Sequence, residues 1–161
     1  MVIGTSTPKV IPCSLLPRLY MDIPADASAQ LKLYTYDYIQ NISEIQNVSN
    51  VTYVNLTYPN ISEIMNVYLD STEISYSDYD GVGGIIYFDT PINGTLRISY
   101  NYIVHMDTDP FKTVSISSQS TNRKLIMPII FQEYAQLNDT GTQICLAIYA
   151  SSYAITVDIL R

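Results

Sequence analysis

Short runs of alternating apolar and polar residues, each closed by turn-forming residues, constrain this chain more than any other feature. The clearest run is Ala29-Gln-Leu-Lys-Leu-Tyr-Thr-Tyr, which sets Leu31, Leu33 and Thr35 on one face and Lys32, Tyr34 and Tyr36 on the other. A period of two residues is the mark of a half-buried strand. Further strand runs follow at 51–58, 65–69, 73–76, 84–88, 95–104, 113–118, 124–131, 143–150 and 154–160. Asp80-Gly81, Gly83-Gly84, Asn93-Gly94, Asp109-Pro110 and Asp139-Thr-Gly141 punctuate them with residues that suit turns. Pro59 ends the run at 51–58 or sets it on an edge, because proline cannot donate to a sheet ladder. No segment has a long helical period; residues 24–29 have room for one helical turn, and 131–137 reads as strand running into loop. The pattern predicts an all-β chain, an antiparallel β-sandwich of jelly-roll type with about 8–10 strands. A single domain over 1–161 is expected, with 1–12 available as an extended N-terminal arm.

Composition agrees with that reading. Tyrosine occurs 15 times against three Phe and no Trp, and its apolar ring with a polar tip suits half-buried sheets and subunit contacts. Charged residues make up only 14%, where a usual domain has about a quarter, so the surface is built from neutral polar groups. The charges are also unevenly spread. Between Leu33 and Leu96 there is no Lys or Arg, while Asp37, Glu44, Glu63, Asp70, Glu73, Asp78, Asp80 and Asp89 all fall there. Without a basic patch to neutralise phosphates, direct nucleic-acid binding is disfavoured, and so is an anionic membrane surface. The longest apolar runs, such as 144–150, are too short to cross a bilayer.

Seven of the ten asparagines stand in Asn-X-Ser/Thr triplets: Asn41, Asn47, Asn50, Asn55, Asn60, Asn93 and Asn138. Random placement of the 30 Ser and Thr residues would give roughly two. The triplet is the N-glycosylation acceptor pattern, and five of the seven crowd into 41–62. Sugars there would require an exposed face turned to the outside of a cell or particle. The N-terminal sequence has neither the basic start nor the apolar stretch of a secretory signal. Either a signal has been removed, or the protein is assembled inside a cell into a particle that then leaves it.

Asn41-Ile-Ser-Glu-Ile-Gln-Asn-Val returns as Asn60-Ile-Ser-Glu-Ile-Met-Asn-Val, identical at seven of eight positions. The echo predicts a duplicated strand start with both Ile side chains packed inward. The segment Gly83-Gly-Ile-Ile-Tyr-Phe, followed by Asn93-Gly94 and an alternating Leu96, Ile98, Tyr100, predicts a hairpin with Ile86 and Phe88 facing those three.

Chemistry-bearing motifs are few. His105 is the only histidine and has no nucleophile motif beside it; no GxSxG, HExxH, P-loop or GxGxxG is present. Asp78 and Asp80 resemble part of a calcium loop, but the residue at the twelfth position is Asp89 and no helices flank it. Cys13 and Cys145 are either one long-range disulfide or two buried thiols. No catalytic residue, cofactor or metal ligand is assigned.

The hairpin segment resembles those of β-sandwich modules in virion and cell-surface proteins. Low charge, the Ile/Tyr/Asn/Ser/Thr bias, dense sequons, the missing signal and the length together resemble the structural proteins of hyperthermophilic archaeal viruses. That resemblance implies a single-jelly-roll capsid subunit in the virion, partnered by itself and by other virion proteins, and non-enzymatic. Two rivals are a glycosylated archaeal surface filament or adhesin built by strand exchange, and a carbohydrate-binding or carbohydrate-acting β-sandwich.

Overall fold

Thirteen strands and no helix account for the regular structure among the described residues of the computed structural model, which are 2–3, 8–12, 18–110, 112–117, 123–127, 143–150 and 155–160. In chain order they are β1 (Val2–Ile3), β2 (Lys9–Pro12), β3 (Arg18–Ile23), β4 (Ser28–Tyr36), β5 (Tyr38–Asn55), β6 (Ile61–Leu69) and β7 (Thr72–Glu73). Then come β8 (Asp78–Asp80), β9 (Ile85–Val104), β10 (Lys112–Ser117), β11 (Arg123–Met127), β12 (Gln143–Ala150) and β13 (Ile155–Leu160). The all-β expectation holds, and every strand pair is antiparallel.

Eight strands form a β-sandwich of two four-stranded sheets, ordered β1-β13-β3-β11 and β10-β4-β12-β2. The chain changes sheet at each step from β1 to β4 and again from β10 to β13. Its one break is between β4 and β10, which are neighbours in one sheet, with Lys112 opposite Leu33 and Ser117 opposite Ser28. All of β5–β9 is spliced into that connection. Residues 2–3 and 9–12, which the sequence offered as an arm, are instead paired with β13 and β12 inside the chain.

The inserted strands make a third sheet, ordered β5-β9-β6-β7, with β8 also on β9. The sequence reading placed these strands in one continuous sandwich, whereas here they own a separate core. Val54, Leu56, Ile61, Ile64, Val67, Ile86, Phe88, Ile92, Leu96, Ile98, Tyr100 and Tyr102 fill it. The expected hairpin at Asn93-Gly94 is not formed. Residues 85–104 are one bent strand, both halves of which pair with β5. Between Val51↔Ile92 and Tyr53↔Tyr87 the extra residues of β9 bulge out around Pro91, where a missing N–H costs no ladder bond. Ile86, Phe88, Leu96, Ile98 and Tyr100 still share one core, because the bend brings them together.

In sheet β10-β4-β12-β2 the central strands β4 and β12 are buried on both faces where the inserted sheet covers them. Ala29, Leu31, Leu33, Leu146 and Ile148 line the side that packs within the sandwich, and each is nearly or fully inaccessible. On the other side Val10, Tyr34, Tyr36, Cys145 and Ala147 pack with Ile103 of the inserted sheet, and Val82 and Met106 close over them. A strand covered twice needs apolar residues at successive positions, which is what Gln143–Ala150 supplies.

The echoed octapeptides lie on opposite sides of β9, both antiparallel to it. Over residues 41–49 of β5 alternation is strict, so Ile42 turns inward while Ile45 is 67% exposed. In β6 register shifts between Ile61/Glu63 and Ile64/Asn66 re-aim the strand, and Ile61, Ile64 and Val67 are all buried. The inward packing expected of both Ile residues therefore holds in the second copy only. Ile64→Ala should cost about 2–4 kcal/mol by urea denaturation, and the matching Ile45→Ala should stay within about 0.5 kcal/mol. Equal losses at the two positions would contradict the opposite facing.

Candidate functional site

The surface with the densest chemical pattern is the outward side of β5, β9 and β6. Alternation in β5 sends Asn41, Ser43, Ile45, Asn47 and Ser49 to solvent. Opposite them in β9 stand Asn101, Ser99, Arg97 and Thr95. Side-chain hydrogen bonds tie the rows together: Asn41 Nδ2 donates to Asn101 Oδ1 at 2.9 Å, Ser99 Oγ to Ser43 Oγ at 3.1 Å, and Thr95 Oγ1 to Asn47 Oδ1 at 3.2 Å. Asn101 Nδ2 continues the first rung to Glu63 Oε2 at 3.2 Å, and Arg97 lies over the Tyr68 ring. The result is a polar ladder whose charges are Glu63 and Arg97, with Ile45 and Met65 exposed among the polar groups.

Of the sequon asparagines, Asn41, Asn47, Asn50, Asn55 and Asn93 are exposed. Asn60 is half-buried and left-handed (φ 61°), with its backbone held by Val82 and Ile103. Asn50, also left-handed (φ 54°), donates its backbone N–H to Asn93 Oδ1 at 2.7 Å, so these two sequons sit side by side at the far end of β5. At Asn47 and Asn93 the protein contacts take the carbonyl oxygen, and Nδ2, the atom a glycan takes, is not part of them. Asn138 lies outside the described residues.

Beneath this face Glu44 points inward and organises the neighbouring turn. Its carboxylate accepts from Tyr100 Oη at 2.8 Å, from Gln46 Nε2 at 2.6 Å and from the Thr57 backbone at 3.1 Å. Tyr100 Oη in turn accepts from the Tyr58 N–H at 3.2 Å. The single anion of β5 is thus consumed by structure.

The remaining sequence candidates are dispersed. His105 is exposed at the foot of the inserted sheet, where Nδ1 lies 2.9 Å from Asp37 Oδ2. Beside it Thr35 Oγ1 bonds Asp107, and the Asp107 N–H donates to Thr35 O at 3.1 Å. These contacts clamp the two crossings between β4–β5 and β9–β10; no nucleophile is bonded to the imidazole. Asp78 and Asp80 do not converge on a common point. Asp78 bonds Lys9 Nζ, and Asp80 Oδ1 accepts from Val82 N and Gly83 N at 3.0 and 2.9 Å. Among the described residues no three His, Cys, Asp or Glu side chains cluster as a metal site would require. Cys145 is a fully buried free thiol, pushed up to about 12 mainly by that burial. Its expected partner Cys13 lies outside the described residues, as does 131–137. An open groove of about 730 Å³ beside the Pro91 bulge has Glu73 and Asp89 on its rim, with Phe88 and Ile92 in its wall.

Sequence reasoning passed over Lys9, which is 5% exposed and lies beneath Tyr79, 3.8 Å from the ring centroid. One signal was available: a stretch of eight acids with no base of its own must draw any buried counter-charge from outside 33–96.

No family model, no curated protein and no solved structure matches the chain.

Burial, with the Glu44 carboxylate in support, raises the Tyr100 hydroxyl above its ordinary value; burial and then Tyr76, Glu63 and Asp78 raise that of Tyr79. Unfolded tyrosine ionises near pH 10, so above that the unfolded chain sheds protons that the folded chain keeps. Stability from these groups is complete below about pH 10 and falls as pH rises toward the folded values. Denaturation midpoints measured from pH 8 to 11 should decline, and the decline should be shallower in Tyr79→Phe. An unchanged slope in that variant would remove Tyr79 from the explanation.

Proposed function

We propose that this protein is a non-enzymatic structural subunit of a virion, self-assembling into its outer shell with the sequon-bearing side of the inserted sheet turned outward. The observation that carries the reading is the uniform exposure of Asn41, Asn47, Asn50 and Asn55 along one strand. Asparagine seeks solvent in any fold, and what favours glycan attachment here is that four acceptors share one exposed strand. The order β1-β13-β3-β11 over β10-β4-β12-β2 supports the jelly-roll reading, since two interlocked Greek keys of eight strands give this arrangement. Jelly rolls build capsids and also lectins, so the connectivity favours a scaffold and does not choose between them.

Sugars would also serve the fold. β5 is the edge of its sheet and runs for 18 residues with a single charge, Glu44, and no Lys or Pro. Such an edge invites pairing with other chains. A glycan on Asn47, whose Nδ2 is outside the ladder contacts, would stand beside it and obstruct that pairing.

The filament rival needs a strand that leaves its own domain. Residues 2–3 and 9–12 are paired within the chain, which weighs against an N-terminal donor. Electron microscopy of material from the native source separates the readings: closed shells are expected, and filaments would overturn the capsid proposal. Intact-mass analysis of the same material should exceed the 18.1 kDa of the polypeptide by whole glycans. A native mass without that excess would remove the glycosylated exterior.

A further inference from the structure

Lys9 and Asp78 come from different sheets and are 69 residues apart in sequence, yet their side-chain termini are in direct contact. Lys9 sits on β2, the edge strand of the sandwich, and Asp78 opens β8 of the inserted sheet. The ammonium group is enclosed. Besides Asp78 it meets the Tyr79 carbonyl oxygen at 2.7 Å and the Tyr79 ring face, and the lysine side chain is 6% exposed. The next chain segment seals the same edge, with Gly81 N–H donating to Pro8 O at 3.1 Å and Ile61 N–H to Gly81 O at 2.6 Å.

We propose that Lys9 and Asp78 are joined by an intramolecular isopeptide bond that forms spontaneously once the chain has folded. Enclosure favours the neutral amine, because burial is the main influence on Lys9 and lowers its proton affinity. Within the contact, one proton passes from the ammonium to the carboxylate. The neutral Nζ then attacks Cγ of the protonated carboxyl; a C–N bond forms, the C–OH bond breaks, and the hydroxyl leaves with a second proton from Nζ as water. Nothing is oxidised or reduced, and no co-reactant is needed. Fixed contact between amine and carboxyl supplies the high effective concentration that a free amine and acid lack in water.

The surroundings fit the product as well as the reactants. An amide nitrogen retains one hydrogen, and the Tyr79 carbonyl is already placed to accept it. Exchanging an enclosed ammonium and a half-buried carboxylate for one neutral amide also removes the desolvation cost of the lysine charge. The bond would fasten the inserted sheet permanently to the sandwich edge, a covalent staple independent of redox conditions.

Tryptic mapping of the purified full-length protein tests this directly. An acylated Lys9 resists trypsin, so the expected product is peptide 1–18 joined to peptide 33–97, lighter than their sum by one water. Cleavage after Lys9 with an unmodified 33–97 peptide in the folded protein overturns the proposal, and needs no variant. Asp78→Asn should yield the same linked product by loss of ammonia, whereas Lys9→Arg should yield none. A linked product in Lys9→Arg would assign the bond elsewhere and equally overturn it.

Discussion

Burial of the central strands β4 and β12 on both faces is the constraint on which this structure depends. Sheet β10-β4-β12-β2 packs Leu31, Leu33, Leu146 and Ile148 within the sandwich and Val10, Tyr34, Tyr36, Cys145 and Ala147 against the inserted strands. Without the inserted sheet the second set would be an apolar surface left in water. The insertion is therefore part of the sandwich's own stability, even though Ile61, Leu96 and Ile98 give it a separate core. Docking also explains the contacts at its foot. Asp37 with His105 and Thr35 with Asp107 hold the two crossings together just where an excursion of this length would otherwise pivot.

Much of the secondary structure was legible because strands write their period directly into the sequence. The run 29–36 became Ser28–Tyr36, and 143–150 became Gln143–Ala150. What the sequence concealed was which runs belong together. Asn93-Gly94 has the composition of a hairpin turn, yet Gly94 (φ 136°) is used inside a continuous strand opposite Val48. Turn chemistry licenses a reversal without requiring one, and long-range pairing with β5 decides the matter. The two echoed octapeptides make the same point more sharply. Nearly identical residues expose Ile45 in one copy and bury Ile64 in the other, because bulges in β6 shift which side chains face the core. Local pattern holds no information about a bulge imposed by the neighbouring strand.

The site divides in the same way. Exposure of the sequon asparagines could be foreseen, since Asn41 and Asn47 alternate with Ile42 and Val48, which must face inward. The roles of Glu44 and Lys9 could not. Glu44 reads as one more surface acid, and its work in holding Tyr100 and the turn at Thr57 exists only after β5 and β9 have paired. Lys9 reads as the charged start of an edge strand, and its burial under Tyr79 depends on a segment far along the chain folding back over it.

Charge distribution links these separate observations. Between Leu33 and Leu96 the chain has eight acids and no base, so the inserted sheet is self-repelling unless its acids are exposed or occupied. Glu44 is occupied by hydrogen-bond donors, Asp80 by loop amides, and Asp78 by Lys9. These three lie where the sheet turns or meets the sandwich, which leaves Glu63 and Arg97 as the charges among the Asn, Ser and Thr of the outward ladder. A sparsely charged polar face beside a long edge is a poor solution for a solitary soluble protein, since little charge there opposes association. It is a sound solution for a subunit whose edge is screened by glycans or taken up by its neighbours. The acidic bias and the asparagine ladder are then two consequences of one design, in which charge is spent on fixing the insertion and neutral polar groups are kept for the surface.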